Sequence, residues 1–72
     1  MVNYIVAYTL KNVQHEDLFS DHWFRFSGKN KIENKRKAFL FYEKIKEKDG
    51  DQFGWSLSAI SLCKELRNNL DL

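Results

Sequence analysis

One segment limits the fold more than any other: from Asn30 to Gly50 the chain spells a single capped, amphipathic helix. Asn30 is the kind of residue whose side-chain oxygen closes a first turn, and Glu33, three positions on, is placed to reach back to it. Ile32, Ala38, Phe39, Phe41, Tyr42 and Ile45 recur at spacings of three and four, opposed by Lys35, Lys37, Lys44, Glu47 and Lys48. Asp49-Gly50-Asp51 stops the run, with Gly50 as the left-handed terminator. The pattern predicts a helix over about 31–48 in a chain of 72 residues, which has room for one core and one domain, 1–72.

A helix with a wide apolar stripe needs a surface to cover, and the remaining segments offer strands. Tyr4-Ile5-Val6-Ala7-Tyr8-Thr9 is rich in β-branched and aromatic residues and predicts a strand over about 2–10. Tyr4, Val6, Tyr8 and Leu10 would share one face, Ile5 and Ala7 the other, so both faces are apolar as in a central strand covered on both sides. Lys11 to Asp21 is polar and acidic and reads as a connecting loop. His22 to Phe26 reads as a short strand, with Phe24 and Phe26 on one face and Trp23 and Arg25 on the other.

The segment from Phe53 to Cys63 fits two templates. With period two, Trp55, Leu57 and Ala59 share a face; with helical period, Ala59, Leu62, Cys63, Leu66 and Leu70 align. Phe, Trp and the serines around Leu57 are modest helix formers, which favours a strand at about 54–63 and a short helical or frayed tail at 64–72. The expected fold is α+β: a small sheet of two or three strands packed on one principal helix. The sheet face away from the helix, carrying one set from Tyr4, Val6, Tyr8 and Trp55, would be left to a partner. A homodimer, formed face to face or by strand pairing at an edge, is one way to supply it.

Composition narrows the functional classes. Hydrophobic residues make up 43% of the chain and eleven positions are aromatic, which is a folded globule and not a disordered tail. Cys63 is the single cysteine, so neither an internal disulfide nor a cysteine-based metal site can form, and a cytoplasmic setting is expected. No run is long and apolar enough for a membrane span, and the start of the chain lacks the pattern of a secretory signal. His15 and His22 lie seven apart among acidic residues without a third ligand set, so they read as solvated loop residues. Cys63 has no base in its neighbourhood and reads as a small buried hydrophobe. Asp49-Gly50-Asp51 lacks the other ligands of a calcium loop. No phosphate loop, nucleophile elbow or paired catalytic carboxylates can be found, so the chain is expected to be neither an enzyme nor the carrier of a metal or cofactor.

Two clusters remain. Five of the nine residues from Lys29 to Lys37 are basic (Lys29, Lys31, Lys35, Arg36 and Lys37), at a helix start where the dipole disfavours cations by ~0.3–1 kcal/mol each. They either keep the domain soluble or hold an anion: phosphate, a nucleic-acid backbone or an acidic protein patch. Arg36 could instead stack on Trp23 or Tyr42. The aromatics Trp23, Phe24, Phe26, Tyr4, Tyr8, Phe53 and Trp55 are more than a thin two-layer core hides. Rings of this kind beside arginine dominate protein interfaces.

The segments Tyr4-Ile5-Val6-Ala7-Tyr8-Thr9, Lys37-Ala38-Phe39-Leu40-Phe41-Tyr42-Glu43-Lys44-Ile45 and Trp55-Ser56-Leu57-Ser58-Ala59-Ile60 resemble a loose group of small bacteriophage accessory proteins. These share a tyrosine-rich first strand, a helix with Ala and Phe-Tyr, and a last strand of small residues. The chain departs from them in its aromatic segment at 22–26 and its basic helix start. The resemblance implies a phage-encoded inhibitor acting in the host cytoplasm, of the anti-defence or anti-CRISPR kind, that binds and blocks a host protein. The contacts expected to carry partner binding are Trp23, Phe24 and Trp55 together with Lys29, Lys31, Lys35 and Arg36. The other expectation is a small RNA- or DNA-binding protein using the same basic helix start.

Overall fold

The structure, a computed structural model, describes residues 3–65. The order is β1 (Asn3–Asn12), β2 (Phe19–Phe26), α1 (Lys31–Glu47) and β3 (Trp55–Glu65). The strands form one antiparallel sheet in the order β2-β1-β3, with α1 laid across one face. This is the α+β arrangement expected from the sequence.

The first hairpin is longer than the polar composition of 11–21 implied. Lys11 pairs with Phe19, Leu10 with Ser20 and Thr9 with Asp21, so the connecting loop shrinks to residues 13–18. Polar residues here serve the ladder instead of ending it. The Thr9 hydroxyl donates to Asp21 Oδ1 at 2.7 Å, and Ser20 Oγ lies 2.8 Å from His22 Nε2. Asn12 makes the turn: its Oδ1 accepts from the backbone N–H of Gln14 and of His15, each at 2.9 Å.

The helix begins where Asn30 caps it, its Oδ1 accepting from the N–H of Ile32 at 2.9 Å and of Glu33 at 3.2 Å. Glu33 does not reach back to the cap. Its carboxylate turns to Arg36, one turn on, at 2.7 Å, so a neighbouring guanidinium outcompetes the backbone amide. At the other end the Gly50 N–H donates to the Ile45 carbonyl at 2.9 Å, with Gly50 at φ +94°. A Cβ on Gly50 would sit 2.4 Å from Leu10 Cδ2, so this position needs glycine for both its backbone angle and its space. Asp49 Oδ1 then accepts from the Leu57 N–H at 3.1 Å and ties the turn to β3.

The buried layer lies between α1 and one face of the sheet. Val6, Leu10 and Ala38 are fully buried and Ile45 nearly so. The Phe41 ring stands 4.9 Å from that of Phe24, 5.6 Å from Phe26 and 6.4 Å from Tyr8, in tilted or edge-on pairs that fit the ring quadrupole. Asn34, also buried, donates through Nδ2 to the Gly28 carbonyl at 3.2 Å and holds the turn between β2 and α1. Only part of the expected helical stripe faces inward: Ile32 and Phe39 are exposed. The inward line is Asn34, Ala38, Phe41 and Ile45, spaced at four, three and four.

Residues 55–65 form a strand, which decides between the two templates, although it departs from simple alternation. Thr9 pairs with Ala59 but Leu10 pairs with Leu57, so Ser58 is the extra residue of a bulge. The bulge lets Leu57 meet Leu10 on the helix side while Ala59 turns to the opposite side, so the two do not share a face as strict period two implied. Lys64 and Glu65 belong to β3, and the tail expected beyond them lies outside the described residues.

The face that the helix leaves open is the other one from that expected. Tyr4, Val6, Tyr8 and Leu10 turn toward α1. Ile5, Ala7 and Thr9 are uncovered, flanked by Phe19, Asp21, Trp23 and Arg25 of β2 and by Ala59, Ser61 and Cys63 of β3. Taken together, Tyr4, Val6, Tyr8 and Leu10 have the greater volume to fill the space between sheet and helix, which leaves Ile5, Ala7 and Thr9 outside.

Candidate functional site

The open sheet face carries the most elaborated surface of the described residues. Trp23, opposite Ala7, is 59% exposed. The Arg25 guanidinium carbon lies 5.4 Å from the centre of its ring, a cation–π arrangement. Arg25 is itself held: its Nε donates to Glu65 Oε1 at 3.1 Å and its Nη2 to Glu65 Oε2 at 3.2 Å, a fork that spans the central strand from β2 to β3. Asn3 Nδ2 donates to the same Glu65 Oε1 at 3.0 Å. The Asn3 amide, the largest influence, and the Arg25 guanidinium together hold the Glu65 carboxyl below the usual carboxylate range, against the opposing effect of partial desolvation.

Beside this row the small side chains leave a shallow open depression of about 420 Å³, bordered by Ala7, Thr9, Asp21, Trp23, Ala59 and Ser61. Its rim offers one indole and hydroxyls from Thr9 and Ser61, and the Arg25 guanidinium lies next to it over the Trp23 ring. Phe19, 57% exposed, adds a second ring on the same face four residues from Trp23. Such a surface can seat an apolar side chain flat on the indole while the guanidinium orients an oxygen acceptor. Among the described residues no group of three or more His, Cys, Asp or Glu is placed to hold a metal ion.

The residues expected to bind a partner fall in four places. Trp23 is on the open face. Phe24 is on the helix side, packed edge-on against Phe41 and 46% exposed at the margin of the sheet. Lys29, Lys31, Lys35 and Arg36 are exposed around the start of α1, just past Phe26, which pairs with Tyr4. Trp55 is half-buried at the far end of the sheet, opposite Asn12. The structure therefore does not gather Trp55 with the basic cluster. Arg36 stacks on neither Trp23 nor Tyr42, because it is paired with Glu33, whose carboxyl it holds low by hydrogen bond and charge. Arg25 takes the place over Trp23, and Lys46 lies 5.1 Å from the centre of the Tyr42 ring.

Two other expectations are corrected. Cys63 is exposed, on the open face opposite Ile5, and not a buried hydrophobe. His22 lies in β2, in keeping with the strand read over 22–26, and is not a solvated loop residue: it is half-buried, with its ring stacked 5.1 Å from that of Tyr8. Arg25, Glu65, Asn3 and Phe19 complete the open face without having been singled out. Their signal was present in the alternation of Trp23 with Arg25, and in the small residues at 59, 61 and 63 that mark the uncovered side of β3.

The chain matches no family model, no curated protein and no solved structure, so its function has to be read from this geometry. No helix among the described residues is long and apolar enough to cross a membrane.

Proposed function

We propose that this chain is a protein-binding module whose open sheet face, centred on Trp23 and Arg25, docks on a partner protein. One observation carries the reading: Trp23 stays 59% exposed on a face the helix leaves uncovered, with a stacked guanidinium fixed by Glu65. An ordered, amphipathic ring presented at little entropic cost is the usual anchor of a protein interface, and truncating one costs ~2 kcal/mol or more in binding. The mechanism is steric: the module occupies a surface and performs no chemistry. The likeness to small phage proteins extends the proposal to a phage-encoded inhibitor of a host defence protein, acting in the host cytoplasm. Lys29, Lys31 and Lys35, which make no ion pair among the described residues, would steer approach to an acidic partner and mainly raise the on-rate.

The same lysines favour a second reading, an RNA- or DNA-binding protein, since a basic helix start suits phosphate. Capture of tagged protein from a bacterial lysate, with and without nuclease and at low and high salt, separates the two. A stoichiometric protein that survives nuclease and salt, and is lost with Trp23→Ala, supports the first. Recovery of nucleic acid alone, released steeply by salt and by Lys31→Ala with Lys35→Ala, supports the second.

A further inference from the structure

The two outer strands each pair with β1 on one side only, so β2 and β3 both end in open backbone groups among the described residues. They are not guarded alike. The β2 edge carries Asp21, His22 and Arg25 within eight residues, the kind of charged edge that resists pairing with another strand. In β3 the nine residues from Trp55 to Cys63 carry no charge and no proline. The bulge at Ser58 bends only one end of it. Residues 59–65 keep an unbroken register with 3–9, from Thr9 opposite Ala59 to Asn3 opposite Glu65. Over 59–63 the edge is both regular and uncharged, and such an edge is a template for strand addition.

We propose that the outer edge of β3 pairs antiparallel with β3 of a second copy about a two-fold axis, joining two three-stranded sheets into one of six strands. The strand is complementary to itself. The uncharged stretch in regular register is 59–63, and its midpoint, Ser61, sets the axis. Ile60 of one copy then meets Leu62 of the other on the helix side, and Ala59 meets Cys63 on the open side. Lys64 and Glu65 lie beyond the regular stretch, against the uncharged bulged end of the other copy's β3, so no like charges face each other across the pair. Pairing through β2 would instead place Asp21 and Arg25 in the interface, and both are already engaged, with Thr9 and with Glu65. A foreign strand would find no charge between 55 and 63 by which to be chosen. In the joined sheet β2 lies at both outer margins, so Trp23 of each copy stays free and the pairing stands independently of what Trp23 binds.

Sedimentation equilibrium on the chain is expected to give twice its mass of 8.6 kDa. Ser61→Lys places two ammonium groups at the axis and is expected to return the monomer mass with unchanged far-UV circular dichroism, whereas Trp23→Ala is expected to remain a dimer. Cross-linking locates the contact without depending on that variant's folding. Ser61→Cys combined with Cys63→Ser is expected to form a disulfide dimer on mild oxidation. The native Cys63 is not, because its two copies would stand ~13 Å apart along the strands, beyond the roughly 7 Å reach of a disulfide. A monomeric wild-type chain, a folded Ser61→Lys dimer, or cross-linking through Cys63 or Asp21→Cys but not Ser61→Cys would overturn the pairing.

Discussion

The two faces of one central strand have opposite characters. Toward α1, β1 presents Tyr4, Val6, Tyr8 and Leu10, with Val6 and Leu10 fully buried. Away from it β1 presents Ile5, Ala7 and Thr9, beside a tryptophan more than half exposed and a charged row running from Arg25 to Glu65. Both faces read as apolar in sequence, yet one is filled by packing and the other is organised by directional contacts. Apolarity alone does not tell a core face from a docking face. Residue volume does, because only the larger set can bridge the distance from a sheet to a helix.

If the helix side holds the stability, Leu10→Ala is the most damaging single change proposed. Leu10 is 0% exposed and lies under Gly50, so the truncation removes its burial and leaves a cavity; a loss of ~2–5 kcal/mol is expected by chemical denaturation. Gly50→Ala attacks the same contact from the helix end. It forces a Cβ to 2.4 Å from Leu10 Cδ2 at a residue with φ +94°, and overpacking with left-handed strain together give ~2–4 kcal/mol. The paired change Leu10→Ala with Gly50→Ala should be less damaging than the sum of the two, since the truncation opens the space that the new methyl group needs. Additive losses would mean that the backbone angle of Gly50, and not its contact with Leu10, sets the requirement.

On the open face, Trp23→Ala is expected to change stability by under ~1 kcal/mol, because it removes an exposed ring and one cation–π contact. Its effect on partner binding should be far larger. A stability loss as large as that of Leu10→Ala would make Trp23 part of the core and remove the case for docking through it.

Much of the covered side was legible from sequence, because capping and periodicity are local. Asn30, the six-residue stripe and Gly50 placed the helix to within one residue, and the alternation of Phe24 with Trp23 placed their opposite faces. What escaped was set by contacts distant in the chain. The bulge at Ser58 exists because Leu57 must meet Leu10, and no pattern within 55–65 announces it. Which face of β1 takes the helix is decided by total volume on each side and not by polarity. Of the residues on the open face, Trp23 was placed opposite to Phe24 by its alternation, whereas Arg25 was passed over because its partner, Glu65, is forty residues away.

The smallest expected effect concerns that ion pair, and it is a dependence on pH. The Glu65 carboxyl is held below its ordinary value of 4.5, chiefly by the Asn3 amide and then by Arg25. As pH falls from 4.5 toward the folded value, the unfolded chain therefore binds more protons than the folded one. The contribution to stability is complete above 4.5 and is lost as pH falls through the folded value. Glu33, lowered by its hydrogen bond and charge contact with Arg36, behaves in the same direction from the helix surface. Urea unfolding of wild type and Glu65→Gln across the acid range should show a difference that is largest near neutral pH and shrinks on acidification. Glu33→Gln should act likewise without touching the open face. Leu10→Ala should lower the curve at every pH without changing its slope, since no proton is gained or lost at that site. A Glu65→Gln difference that stays constant through the acid range would mean that Asn3 and Arg25 do not favour the charged carboxylate. The open face would then lack the fixed guanidinium on which the Trp23 platform depends.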